Sequence, residues 1–405
     1  MTAFRSFDVK DRHLSYRPGE RKKAGKWEAE GRTGRSVFTL SPSLFPLPAS
    51  PFPLRSHGHP PIAIGFLVVW ATTRCQLRCR YCYMSAGDTP EIDLDVRAFA
   101  AAARHLGLGP GAEVQIAGGE PLLVPDVVED IAARARSLGV TRVAVQTNGI
   151  GIDERFVALV KRHRLAVGVS LDGPPAVNDR ARGRSAEVLR GLARLEAAGI
   201  PFGVTAVVSR DTVATLPDLA LLLAGFAQAR SLGLDILRPA GRARETDLAA
   251  PAELRQAFAA LVERLEWVNR HRRAPLRLRE LAAAECGGTP GRCPGESGRG
   301  AALTADGALY PCASLAGLPE FQCGTARAPD YARLRRGLPF DASACGGCAV
   351  AGCHGRCPSL ALLSKRAGRL DCLLRQAASR RPAADGDAIT PSEPEDPEHV
   401  AERPF

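Results

Sequence analysis

Strand-like and helix-like stretches alternate six times between residues 62 and 237, and that alternation leaves few folds open to the chain. Strands are expected at 62–70, 113–117, 142–146, 165–171, 202–208 and 234–237. Between them the spacing predicts helices at 95–106, 127–138, 154–163, 186–198 and 217–229. The first helix shows the pattern best: Val96, Phe99, Ala103 and Leu106 share one face, and Gly107 supplies the stop. Strands that return at roughly 30-residue intervals through helices form parallel βα units. Eight units close a TIM barrel; six predict an α/β fold with a partial (β/α)6 barrel of TIM type. In such barrels the reactive groups stand on the loops after the strands.

The rest of the chain divides around this core. Residues 1–60 are basic and then Pro-rich, without either secondary-structure period, and are expected to be a poorly ordered lead-in. Residues 61–240 form the barrel. A bridging segment, 241–284, carries a helix expected at 252–270. A loop-rich, cysteine-rich small domain follows at 285–375, and an acidic, Pro-rich tail expected to be disordered closes the chain at 376–405.

Charge and apolar runs exclude some functions. Of the net +11, most comes from residues 1–60, which hold 11 Lys/Arg against 5 Asp/Glu. The remainder shows no basic run interleaved with aromatics, so nucleic acid is not an expected partner. No apolar run reaches the roughly 18 residues of a membrane span, and no secretory signal opens the chain. The default expectation is a cytoplasmic protein. In a reducing compartment, twelve cysteines in clusters point to metal rather than disulfides.

The first cluster is Cys75-x3-Cys79-x2-Cys82, on the loop directly after the first strand. Three thiolates at this spacing can hold three corners of a four-iron cubane, which needs four cysteines to be closed. An open metal position is where a substrate or cofactor binds. A zinc site with a remote fourth ligand is the alternative. Three polar motifs end the next strands: Gly118-Gly119-Glu120-Pro121, Gln146-Thr147-Asn148-Gly149 and Ser170-Leu171-Asp172-Gly173. Asp179 and Arg182 follow as D-x-x-R, which also suits a surface ion pair.

The segment Cys75-Gln-Leu-Arg-Cys79-Arg-Tyr81-Cys82 resembles the cluster loop of the radical S-adenosylmethionine (SAM) superfamily, including the aromatic residue before the third cysteine. The resemblance implies a 4Fe–4S cluster on Cys75, Cys79 and Cys82 whose open iron chelates SAM. It implies reductive cleavage of SAM to a 5′-deoxyadenosyl radical. Gly118, Gly119, Glu120, Gln146, Asn148, Ser170 and Asp172 become the implied SAM contacts, with the glycines admitting backbone carbonyls to the amine and Glu120 pairing with it.

The second cluster reads Cys293-x13-Gly307-x4-Cys312, then Cys345-x2-Cys348-x4-Cys353-x3-Cys357, then Cys372. It resembles the SPASM extension of radical SAM enzymes that mature peptides and proteins, with one residue fewer between Cys348 and Cys353. The resemblance implies two auxiliary 4Fe–4S clusters. Cys286, Cys293, Cys312 and Cys357 would hold one; Cys345, Cys348, Cys353 and Cys372 would hold the other. Cys323 is left over as a packed thiol. Taken alone, the same array also suits zinc knuckles.

The family resemblance implies a ribosomally made precursor peptide as substrate and a flavodoxin- or ferredoxin-type reductant; residues 1–60 are too short and irregular for the leader-recognition domain many such maturases carry, so a separate leader-recognition protein is expected. Sulfatase maturases carry an Asp after the cysteine that Cys312 matches; Ala313 stands here and cannot take a proton. The continuation through Leu315, Gly317, Pro319 and Gly324 resembles maturases that form thioether cross-links. Oxidation of a protein Cys or Ser is the alternative enzyme reading, and a zinc- or iron–sulfur-binding interaction or electron-transfer protein is the non-enzyme one.

Overall fold

The computed structural model describes residues 62–281, 293–339 and 355–379, together with Cys345, Cys348, Val350 and Cys353. The expectations for residues 1–60 and 380–405, and for Cys286, lie outside the described residues. The six expected strands are all present: β1 (Phe66–Trp70), β2 (Glu113–Ala117), β3 (Arg142–Thr147), β4 (Ala166–Ser170), β5 (Phe202–Val208) and β6 (Ala229–Ile236). They lie side by side in chain order and pair in parallel throughout. The helices α1 (Val96–His105), α2 (Pro125–Ser137), α3 (Glu154–His163), α5 (Ser185–Ala197) and α6 (Leu216–Ala224) connect them, with a short α4 (Pro175–Ala181) that the sequence pattern did not suggest. The fold is the α/β partial barrel that the alternation predicts.

Period-two patterning decides which side chains face the site. In β2 Val114 and Ile116 are buried, in β3 Val143 and Val145, in β5 Phe202, Val204 and Ala206; these are the strands' share of the main hydrophobic core. The alternate positions, Gln115, Gln146, Ser170 and Thr205, are small or polar and line a cavity. Local caps set the helix starts. The Asp95 side chain accepts from Arg97 N at 2.8 Å, and the Asp153 side chain accepts from Phe156 N at 2.8 Å.

Three features depart from the sequence expectation. First, α6 stops at Ala224, and β6 begins at Ala229 rather than 234. The guanidinium of Arg272 donates to the carbonyls of Leu223, Ala224, Phe226 and Ala229, at 2.7–3.2 Å, and so takes up the helix-end acceptors from a distant point in the chain. Second, the sheet has nine strands. After α7 (Pro251–Arg270) come β7 (Arg277–Leu278) beside β6, and β8 (Gly300–Leu303) parallel to β1, with β9 (Leu309–Tyr310) antiparallel to β8. The cysteine-rich segment therefore begins by extending the barrel sheet. Third, the helix Lys365–Ser379, which carries Cys372, continues past residue 375 and packs against α7. Among the described residues no helix is long and apolar enough to cross a membrane.

Candidate active site

The loop after β1 is fixed before its first cysteine. Thr72 Oγ1 donates to Asp93 at 2.6 Å, and Arg74 holds both oxygens of the same carboxylate, at 2.9 and 2.5 Å. The end of β2 presses on this loop: Gly119 N donates to Thr72 O and Glu120 N to Arg74 O, at 2.8 and 2.7 Å. A Cβ on Gly119 would stand 2.1 Å from Arg74 O. Contact with the cysteine loop is thus itself sufficient reason for a glycine there.

Glu120 is fully buried. Its Oε1 accepts from Leu122 N at 3.0 Å and Thr147 Oγ1 at 2.7 Å, and Oε2 accepts from Asn148 N at 2.7 Å. The carboxylate therefore ties the end of β2 to the end of β3. Burial pushes its carboxyl up to about 6, against the pull of those hydrogen bonds. Asn148 Nδ2 reaches Gln76 Oε1 at 3.3 Å and stands 4.0 Å from Cys75 Sγ. Gln146 Nε2 donates to Ser170 Oγ at 3.0 Å.

Asp172 and Arg182 sit differently from the sequence expectation. Asp172 is fully buried and is absent from the cavity wall; it accepts from Arg182 Nε at 2.8 Å, from Val207 N at 2.9 Å and from Tyr81 OH. Arg182 does not pair with Asp179 on the surface. Its side chain is 11% exposed, lies over the Tyr81 ring at 5.3 Å, and reaches the cavity. Asp179 instead accepts from Ser185 N at 2.7 Å. The D-x-x-R spacing pointed to Arg182 but not to its partner, because Asp172 lies ten residues before Arg182, outside that motif.

The cavity, about 520 Å³, brings together Cys75, Cys79 and Cys82 with Gly118, Gly119, Glu120, Gln146, Asn148 and Ser170. It is also lined by Asp235, Arg238 and Arg242 from β6 and the loop after it, and by Cys293, Cys312 and Ala313 from the cysteine-rich segment. Arg238 bridges the two sides: it donates to Asp235 at 2.7 Å and to Ser314 Oγ at 2.6 Å, and lies over the Tyr83 ring at 6.0 Å. None of these β6-side residues belongs to a local motif, and sequence reasoning missed them.

The thiols of the first loop test what could bind. Burial pushes Cys75 up to about 11 and raises Cys79, so neither is primed as a free nucleophile. The three are near enough for their charges to interact. Yet among the described residues no three His, Cys, Asp or Glu converge where a single metal ion would sit. Three cysteine thiols around one cavity are the donor set that an iron–sulfur cluster takes.

In the second array, Cys293 and Cys312 are electrostatic neighbours, and so are Cys345, Cys353 and Cys372. Cys348 lies 3.8 Å from Gln376 Nε2, one turn beyond Cys372. Cys357 N donates to Asp371 at 2.7 Å. Cys323 is buried in the core with its thiol toward Phe321 O at 3.4 Å, apart from both groups.

Residues 71–223 match the Radical SAM superfamily model, so the chain carries a radical SAM domain. It is 31% identical over 183 residues to an uncharacterized protein of Methanocaldococcus jannaschii, covering 43% of this chain and 63% of that one. It is 35% identical over 163 residues to Fe-coproporphyrin III synthase of Methanosarcina barkeri, covering 39% and 40%. The chain thus spans less than two thirds of these curated relatives. Among solved structures it is similar to anSMEcpe with bound AdoMet and a Cp18Cys peptide (TM-score 0.61, 18% identity, 79% of this chain and 96% of that one). It is also similar to Streptococcus suis SuiB bound to its precursor peptide SuiA (TM-score 0.58, 15% identity, 75% and 74%). At these identities the likeness is one of fold.

Proposed function

We propose that the chain is a radical SAM enzyme with a SPASM-type auxiliary-cluster segment that modifies a ribosomally made peptide. The observation that carries this reading is the shared cavity: the Cys75–Cys79–Cys82 loop forms one wall and the Cys293 and Cys312 loops another. Cys75, Cys79 and Cys82 would hold a 4Fe–4S cluster, and Gly118, Gly119, Glu120, Gln146, Asn148 and Ser170 would bind SAM beside it. Such a cluster, with SAM bound, supplies one-electron cleavage of the sulfonium and a radical that abstracts hydrogen.

The chain's own residues do the positioning. Arg182, held by Asp172 and Tyr81, offers a buried positive charge to a carboxylate in the cavity. Glu120 has a lone pair beyond its Asn148 contact with which to accept from an amine. Asp172 acts through Arg182 rather than by touching SAM. Cys286, Cys293, Cys312 and Cys357 would carry one auxiliary cluster, and Cys345, Cys348, Cys353 and Cys372 the other. The reductant would be of flavodoxin or ferredoxin type, and leader recognition would fall to a separate protein.

Thioether cross-linking is the finer proposal. Ala313 faces the cavity without a titratable group, and the carboxylate on that side is Asp235, 2.7 Å from Arg238. Asp235 is the group placed to take the peptide thiol's proton. A second reading, modification of a small cofactor precursor, is favoured by the likeness to Fe-coproporphyrin III synthase over the barrel region.

Anaerobic reconstitution tests the proposal. Three cubanes predict about twelve irons per chain, a broad absorbance near about 400 nm, and 5′-deoxyadenosine on addition of SAM and dithionite. A colourless protein that binds zinc instead and leaves SAM intact refutes it.

A further inference from the structure

The loop after β6 reaches across the barrel and grips the first cysteine loop. Arg242 N donates to Cys82 O at 3.0 Å, Nε to Cys79 O at 2.9 Å, and Nη1 to Ala86 O at 3.1 Å as well as to Asp88. One residue thus takes three carbonyls of a segment about 160 positions away, two of them on cysteines. The approach is close: Gly241 has φ +60°, and a Cβ there would stand 2.4 Å from Cys82 O and 2.6 Å from Tyr83 O.

Nη2 carries the other two N–H donors of this side chain. Nη2 is buried and has no hydrogen-bond partner among the described residues, although Arg242 lies on the wall of the cavity that Cys75, Cys79 and Cys82 line. A buried guanidinium N–H without an acceptor costs free energy unless something else in the site accepts from it. The Arg242 charge also reaches the Cys79 sulfur.

We propose that Gly241 and Arg242 form a positioning clamp for the first cluster, with the Arg242 Nη2 donor and its charge directed at the cluster and raising its reduction potential. This rests on the reading that Cys75, Cys79 and Cys82 hold a 4Fe–4S cluster. A positive charge and hydrogen bonds to cluster sulfur favour the state that has gained one electron, so the clamp eases reduction by an external one-electron donor.

The test is an anaerobic redox titration of the reconstituted full chain with dithionite, following the EPR signal that changes when SAM is added. Arg242→Gln is expected to lower the reduction equilibrium of that signal about tenfold, about 59 mV for one electron. Arg242→Lys, which keeps the charge but not the fork, should fall between Gln and wild type. Gly241→Ala should lose iron from this cluster by displacing the Cys82 carbonyl. A wild-type chain with no SAM-responsive signal refutes the cluster reading and the clamp together. A wild-type signal with an unchanged potential in Arg242→Gln refutes the clamp alone and leaves a merely structural role. Should Arg242→Gln hold no iron, Arg242→Lys decides: a potential equal to wild type overturns the proposal.

Discussion

The two cysteine arrays are built in opposite ways. The first loop is gripped by protein on every side: Asp93 holds its start, β2's end packs under it, Asp172 takes Tyr81, and Arg242 takes its carbonyls. The described residues from Cys345 to Cys357 lean on one helix instead. Their described contacts run to the helix Lys365–Ser379 through Asp371 and Gln376. The difference teaches where geometry comes from. Several elements hold the first site, whereas the described part of this stretch is held by one helix.

The largest expected effect breaks the first array. Cys79→Ala should lower 5′-deoxyadenosine formation by a factor of about 10³ or more, about 4 kcal/mol in the barrier, as read by chromatography of quenched reactions. Next is its scaffold. Asp172→Ala leaves the buried Arg182 without a partner and should cost about 3–5 kcal/mol in denaturant-induced unfolding. An effect below 1 kcal/mol would mean that Arg182 is solvated.

The second array should behave otherwise. Cys345→Ala is expected to lower iron from about twelve to about eight per chain while SAM cleavage stays within a few-fold of wild type. Equal collapse of both activities would show that the two arrays are one unit.

The smallest effect concerns Glu120. A carboxyl whose folded value, about 6, lies above its ordinary 4.5 binds its proton more tightly in the folded chain. Stability of the metal-free chain therefore falls as pH rises from about 4.5 to about 6, by about 2 kcal/mol from this group. Urea melts of wild type and Glu120→Gln across that range should show the difference between them changing in that direction.

What the sequence made legible follows from the range of the forces involved. Strand β5 and helix α3 match their expected limits because period and capping are local signals. Gly118, Gly119, Glu120, Gln146, Asn148 and Ser170 line the cavity because strand ends are local signals too. The end of α6 was misjudged because Arg272, almost 50 residues on, supplies its cap. Asp172 stands in a motif like the cavity residues, but its partners Tyr81 and Val207, which hold it off the cavity wall, come from elsewhere in the chain. Asp235, Arg238 and Arg242, from β6 and the loop after it, belong to no motif at all; only the folded barrel brings them to the cysteines' cavity.

The most direct test of the open-iron reading is electron–nuclear double resonance on the reduced, reconstituted chain with SAM labelled by 13C in its carboxylate. Hyperfine coupling from the label to the cluster, lost in Cys79→Ala, is the predicted result. A fully formed cluster that shows no coupling to the label would contradict it.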